Sequence, residues 1–504
     1  MNNLPYSLLM LSLLFLQIIN SGDCEIISYA NEIIHPLQPV YLSIPKFSPA
    51  DAPHTSPGTG VSYVDMTGVG VNLDCDGNDC HATTLEVLIF KAPDTMWWMD
   101  YWEDREICCT KQLASESIKG CTQSNVNKMI IPSDAEVKYS STLNTIELTA
   151  QEKSFHFGDS PTSQGTLSIK QTGLYIILMA VCNDDGENVK LNGAAESMDP
   201  YGYLPADLLY SMYFYGFITL CYCLITFIWV VTCYIYKNEL IIVQNWISIV
   251  LILGTLETSL LYTRHIEWNQ LGRPIVWITI FGHLCGIGKR ALSRALVLMI
   301  SLGYGVVRHS LGDDWHRILF ICTLWTFLSI VDTYVDSLPD LAKSSNQSQK
   351  QAESVVVLTL AVIDASIYVW TMYALNNIIQ TLESRKQALK LKLYWRFRAI
   401  LVGSIVLSIT YIIYVICFNL FNPANKFWHL KWTIDAYWEF TYFFILCVIA
   451  VLWAPSVNSQ RYAYSIELSQ MDNDEEGDGF DIDSEYGMKL LEGEENLQFD
   501  IKKS

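Results

Sequence analysis

The sequence predicts a membrane protein built as an N-terminal lumenal β-sandwich, a seven-helix transmembrane bundle and a disordered acidic tail. Three observations predict it. Long apolar runs crowd the second half of the chain, which is 51% hydrophobic overall. The cysteines divide by region: Cys24, Cys75, Cys80, Cys108, Cys109, Cys121 and Cys182 precede residue 200, and the other seven of the 14 lie within apolar runs. Acid collects at the C-terminal end and helps to set a formal net charge of −20. A charge of that sign argues against a nucleic-acid partner, which would want a basic face.

Residues 1–22 read as a secretory signal, with a short apolar core from Leu8 to Ile19 followed by Asn20-Ser21-Gly22. Residues 23–198 are expected to form the sandwich. Short apolar or alternating runs recur at Val40–Ile44, Thr84–Phe90, Leu143–Leu148, Thr166–Ile169 and Leu174–Val181, with turn residues between them. Behind a cleaved signal this region lies in an oxidising compartment, so its seven cysteines are disulfide candidates. Connectivity is not legible, and the odd count leaves one thiol free or paired between molecules. Asp74-Cys-Asp-Gly-Asn-Asp79 resembles a calcium loop but lacks its glycine and its closing glutamate, so it reads as a cysteine-bounded loop. No zinc spacing and no nucleophile constellation is present in the sequence.

Leu191-Asn-Gly193 and Asp199-Pro-Tyr-Gly-Tyr-Leu-Pro-Ala-Asp207 are expected to stop the sandwich and aim the chain into the first span. The transmembrane domain is expected over 199–456, with spans near 207–236, 240–262, 274–306, 315–337, 354–380, 397–421 and 433–454. Each is long enough for a hydrocarbon core of about 30 Å. A lumenal N-terminus and seven crossings put the C-terminus in the cytosol. The loop 383–398, with Arg385, Lys386, Lys390, Lys392, Arg396 and Arg398, then falls in the cytosol, as the positive-inside rule requires. The 337–353 loop falls in the lumen and carries the sequon Asn346-Gln-Ser348, a glycosylation site. The tail over 457–504 is acidic and expected to be disordered and solvated. Leu490-Leu491 only faintly resembles a dileucine signal, and Ile-Lys-Lys-Ser does not fit a dilysine retrieval signal.

The third span poses the chemical question. From Gly282 to Gly305 it is apolar, yet Lys289, Arg290 and Arg294 stand well away from either end. A charge at the centre of a membrane helix costs roughly 2.5–3.5 kcal/mol on insertion scales, so such bases need a partner, a cavity or water. Gly286-Ile-Gly-Lys-Arg290 is not a phosphate loop: the glycine spacing is off by one and Arg290 stands where Ser or Thr must bind magnesium. The acids able to answer these bases are Glu257, Asp332 and Asp364 on the second, fourth and fifth spans. Asp435 and Glu439 share one face of the seventh. Two readings stay open: an ion-pair network holding the helices together, or a cavity in which Lys289, Arg290 and Arg294 meet a phospholipid phosphate and Glu257 an amine.

The Pro-Tyr-Gly-Tyr-Leu-Pro junction, Tyr175…Cys182, Ser301-Leu-Gly-Tyr-Gly305, Val331-Asp332, Ile363-Asp-Ala365, Asp435-Ala-Tyr-Trp438 and Leu452-Trp-Ala-Pro-Ser-Val-Asn-Ser-Gln-Arg461 carry a resemblance. They resemble the Golgi-dynamics-domain (GOLD) seven-transmembrane family, and within it the transmembrane protein 87 branch. The resemblance implies a Golgi membrane protein supporting endosome-to-Golgi retrograde traffic, with the sandwich binding lumenal cargo; cytosolic trafficking adaptors would be partners if Leu490-Leu491 in the tail is read as a sorting signal. It implies a bound phospholipid in a cavity at Glu257 and the third-span bases. It also implies a cation path at Asp435, with Glu439 on the same face, hence a cation channel of the Golgi or plasma membrane, responsive to membrane tension, voltage or pH, as the alternative. A ligand-sensing receptor is a third class, opposed by Val306-Val-Arg-His309 at the end of the third span. No enzyme is expected, nor a metal. Family members can tie the 422–434 loop to the sandwich by a disulfide, but that loop holds no cysteine in this chain.

Overall fold

The computed structural model describes residues 26–36, 40–43, 46–47, 62–74, 81–91, 108–115, 121–130, 142–148, 154–157, 166–169, 171–183, 186–304, 307, 312, 314–336, 347–421 and 428–455. The signal, Cys24, Cys75, Cys80, Asn346 and the acidic tail lie outside them.

The N-terminal part is two packed sheets. Strands β1 (Ile26–Ile34), β4 (Ser62–Asp65), β5 (Val69–Asp74), β8 (Ser154–His156), β9 (Thr166–Ile169) and β11 (Asn188–Met198) form one, in the order β8-β5-β11-β4-β9 with β1 also on β11. Strands β2 (Val40–Ser43), β3 (Lys46–Phe47), β6 (Thr83–Lys91), β7 (Thr142–Leu148) and β10 (Gly173–Val181) form the other, in the order β2-β10-β6-β7 with β3 on β10. The pairings are antiparallel, so side chains alternate between core and surface. Val69, Val71, Val189 and Leu191 of one sheet meet Leu85, Val87, Ile89, Ile177 and Met179 of the other in a single core. Strands β2, β6, β7, β9 and β10 read in sequence as apolar or alternating runs, and β1, β3, β4, β5 and β8 did not. Nor did the polar β11: Leu191-Asn-Gly193, expected as a terminator, lies inside this central strand, pairing with β1 on one side and β5 on the other.

Two disulfides pin the segment between β6 and β7. Cys108 bonds Cys182, just past β10, and Cys109 bonds Cys121 around the short helix α1 (Lys111–Ser115). Cys221, Cys285 and Cys447 are free, as expected for residues within spans. Glu86 of β6 supports the same segment. It is 2% exposed and accepts the Met129 backbone N–H. Burial pushes its carboxyl above the ordinary glutamate range, outweighing the Met129 bond and the Lys128 charge, which lower it.

Seven long helices follow: α2 (Ala206–Ile235), α3 (Ile242–Leu271), α4 (Val276–Ser301), α5 (Asp314–Asp336), α6 (Gln347–Ser384), α7 (Ala388–Phe421) and α8 (Trp432–Leu452). Neighbours in sequence pack together from α2 to α8, α8 closes on α2, and α6 also packs on α4. Apolar side chains cover the outside, among them Phe217, Leu220, Leu224 and Phe227 of α2, as a bilayer rather than water requires. Inside, Ile218, Tyr222, Ile247, Val250, Leu375, Tyr394, Phe397 and Ile449 form the bundle core.

Three expectations change. Six of the helices are long and apolar enough to cross a membrane by length and composition, and α4 is not among them. Its His283, Lys289 and Arg290 dilute its hydropathy, so α4 depends on its neighbours rather than on its own composition. The helices also overrun the predicted spans: α3 continues to Leu271 and stops at Gly272 in the left-handed region. The basic 383–398 stretch is mostly helix, because α6 ends at Ser384 and α7 begins at Ala388. A helix leaving the hydrocarbon can continue in water, and hydropathy does not mark that continuation.

The junction is fastened from both sides. The Asp199 carboxylate accepts Ser62 Oγ of β4 and the Tyr201 hydroxyl, each at 2.7 Å. Asn269, near the end of α3, donates from Nδ2 to the Tyr201 carbonyl at 2.9 Å and accepts the Leu204 N–H at 3.2 Å. Gly202 has φ 136°, and a Cβ there would stand 2.3 Å from Asn269 Oδ1. Glycine satisfies the conformation and the close approach together.

A carboxyl raised above its unfolded value favours the fold at low pH, and that contribution is lost as pH rises through the raised value. The sandwich is therefore expected to melt higher at mildly acidic than at neutral pH. Glu86→Gln should raise the neutral melting temperature and flatten this dependence, as followed by thermal unfolding across pH.

Candidate functional site

Lys289 sits midway along α4 and is 1% exposed. Its Nζ lies 2.5 Å from Glu257 Oε2 of α3 and 3.1 Å from Glu439 Oε2 of α8. The Tyr442 ring centroid stands 4.3 Å from the same Nζ and that of Tyr222 5.8 Å, so two aromatic faces complete the enclosure. Glu257 reaches the lysine because Gly286, three residues before it, has no side chain. A Cβ on Gly286 would meet Glu257 Oε1 at 2.2 Å. Small residues in α4 thus make room for a carboxylate as well as for a neighbouring backbone.

Arg294 is held differently. Its Nε and Nη2 donate to the two Asp364 oxygens of α6 at 2.7 and 3.1 Å, a two-point pairing suited to a planar guanidinium. Its Nη1 donates to the Arg290 carbonyl at 3.1 Å. Its cationic carbon lies 3.9 Å from the Trp325 ring centroid of α5. Asp364 remains 39% exposed, so this pair borders the outside of the bundle.

Arg290 stands between the two arrangements. It is half-buried, and among the described residues its guanidinium makes no hydrogen bond or ion pair. Asp332 of α5 is half-buried and takes no part in the Lys289 or Arg294 pairs. Asp435 is exposed in the first turn of α8, one turn before Glu439.

The structure therefore brings Glu257, Lys289 and Glu439 together, separately joins Arg294 to Asp364, and leaves Arg290 open. Glu439, grouped by sequence with Asp435, belongs to the lysine enclosure. Tyr222, Tyr442, Trp325 and Gly286 were not legible as site residues. An aromatic in an apolar run reads as core, and only its neighbour across the bundle shows that it faces a cation. Among the described residues no three of His, Cys, Asp and Glu converge as a metal set.

Comparison with known proteins places this geometry. A family profile described as "GOST, seven transmembrane domain" matches residues 210–460, which contain every member of both ion-pair groups. The chain belongs to the GOST seven-transmembrane family. Transmembrane protein 87B of Mus musculus is 30% identical over 326 residues, 64% of this chain and 57% of that protein. Transmembrane protein 87A of Homo sapiens is 28% identical over 341 residues, 66% of this chain and 60% of that protein. Membrane protein PTM1 of Saccharomyces cerevisiae is 23% identical over 350 residues, 66% of this chain and 64% of that protein. The matches to the transmembrane protein 87 relatives span 57% to 60% of their length. As a GOST member the chain is a multi-pass membrane protein, and α4, whose own hydropathy falls short, is one of the helices of the matched domain.

Removing one partner from a buried ion pair costs roughly 3–5 kcal/mol, because the other charge is left uncompensated. Lys289→Met is expected to cost about that much, by stranding Glu257 and Glu439. Adding Glu257→Gln should recover part of the loss. Thermal melting of the detergent-solubilised variants measures both, and a Lys289→Met protein as stable as wild type would show that the enclosure does not hold the bundle.

Proposed function

We propose that this GOST protein holds a phospholipid within its helical bundle and serves endosome-to-Golgi membrane traffic. The observation that carries the lipid reading is Arg290. Lys289 and Arg294 have protein acids as partners, whereas the Arg290 guanidinium has no ion-pair or hydrogen-bond partner among the described residues. A half-buried base in a membrane bundle needs an anion, and a lipid phosphate offers the planar, multidentate match that arginine favours. Glu257 is engaged by Lys289 at 2.5 Å and so is not carried into this reading as the partner of a lipid amine. The traffic reading rests on the family, and the two-sheet domain ahead of the bundle suits it to lumenal cargo.

A cation path is the second reading, and α8 favours it. Asp435 is exposed at the helix start, and Glu439 lies one turn further in, beside Lys289. Glu439 is engaged by Lys289 at 3.1 Å, so this reading rests on Asp435 at the helix start.

Native mass spectrometry of gently extracted protein is expected to show a retained phospholipid that Arg290→Gln loses without loss of thermal stability. In cells depleted of the protein, retrieval of a recycling Golgi reporter should slow, and wild type but not Arg290→Gln should restore it. No retained lipid on wild type overturns the lipid reading, and unchanged retrieval overturns the traffic reading. A cation current from purified protein in a planar bilayer, lost in Asp435→Asn, would favour the path instead.

A further inference from the structure

A groove runs between α5 and α6, away from the Lys289 enclosure. His316 and Arg317 stand at its rim, Phe320 and Ile321 of α5 and Trp370 of α6 line it below, and its cavity volume is about 550 Å³. Clefts that hold small organic molecules span roughly 300–1,000 Å³. The rim lies at the end of the bundle where α4 finishes, α5 begins, α6 finishes and α7 begins. That end also carries Arg385, Lys386, Lys392 and Arg396, all exposed.

The groove changes character along α5, from His316 and Arg317 to Phe320 and Ile321. Arg317 is 70% exposed, and among the described residues its side chain is held only by Asp314 of the same helix, through one 3.3 Å bond from Nη1. A guanidinium has five N–H donors, so most of this one's capacity is unspent. One turn further along α5 Phe320 is 67% exposed, and Trp370 packs from α6 against Leu298, Met299 and Ile318. A purely apolar ligand would leave Arg317 unused, and a free phosphate would leave the Phe320 and Trp370 surfaces uncovered. A molecule with an anionic head and an apolar chain satisfies both.

We infer that this groove is a binding site for an anionic glycerophospholipid of the leaflet at that end of the bundle. The phosphate lies with Arg317 and His316, and one acyl chain follows Phe320, Ile321 and Trp370. Asp314 opposes the anion in part, so the preference rests on Arg317. The site is separate from the lipid reading at Arg290, on different helices and opening on the outside of the bundle.

The test uses full-length protein in phosphatidylcholine vesicles carrying a minor fraction of spin-labelled phosphatidylserine or spin-labelled phosphatidylcholine. Wild type should immobilise phosphatidylserine in preference to phosphatidylcholine by about tenfold at this site, the scale of one charge-assisted contact. The preference should shrink at high salt. Arg317→Gln should abolish it, and Arg290→Gln should leave it intact. An equal response to the two lipids in wild type, a preference indifferent to salt, one that survives Arg317→Gln, or one lost only in Arg290→Gln would each overturn the assignment. The salt series on wild type stands even if Arg317→Gln fails to fold.

Discussion

The bundle is arranged around one buried ammonium group. Lys289 meets carboxylates from α3 and α8 and the rings of Tyr222 and Tyr442. Those groups come from three helices, α2, α3 and α8, and the lysine from a fourth, so the charge can be satisfied only when the helices are in register. In a hydrocarbon solvent apolar packing alone distinguishes poorly between registers, since lipid tails match leucine for leucine. A buried charge that finds its counter-charges in one arrangement supplies that discrimination. The empty side of Gly286 is the steric condition for it, because any side chain there would occupy the place of the Glu257 carboxylate.

The three bases of α4 divide their roles accordingly. Lys289 is enclosed, Arg294 is tied outward to Asp364 and stacked on Trp325, and Arg290 is left with capacity. Helical geometry explains the division. Successive residues turn about 100° around the axis, so Lys289 and Arg290 look toward different neighbours. Arg290 and Arg294 share a face, yet Arg294 lies one turn further along and reaches α6. Structural pairing therefore accounts for two of the bases, and the third has no hydrogen-bond or ion-pair partner among the described residues.

The sandwich and the bundle meet through a short polar chain of contacts. Ser62 holds Asp199, Asp199 holds Tyr201, and Asn269 holds the turn that contains Tyr201 and Gly202. Asn269 and Glu257 lie on the same helix, twelve residues and about 18 Å of helix rise apart. One rigid element thus carries both the fastening of the two-sheet domain and a carboxylate of the lysine enclosure.

The sequence by itself determined the order of parts. Period-two runs gave the strands at 40–44, 84–90, 143–148, 166–169 and 174–181, and apolar length gave seven helices close to their observed places. It also singled out Lys289, Arg290 and Arg294 together with Glu257, Asp332, Asp364, Asp435 and Glu439, because a charge in an apolar run is costly wherever it stands. Only the tertiary structure decided the partners. Glu439 belongs with Lys289, and Asp364 with Arg294, because α8 and α6 happen to pass those positions on α4. Hydropathy records that a segment prefers lipid, and it holds no information about which neighbour lies across a helix face. For the same reason polar β11 escaped notice. Its place at the centre of a sheet is fixed by the strands on either side, through backbone hydrogen bonds that every residue type except proline can make in full.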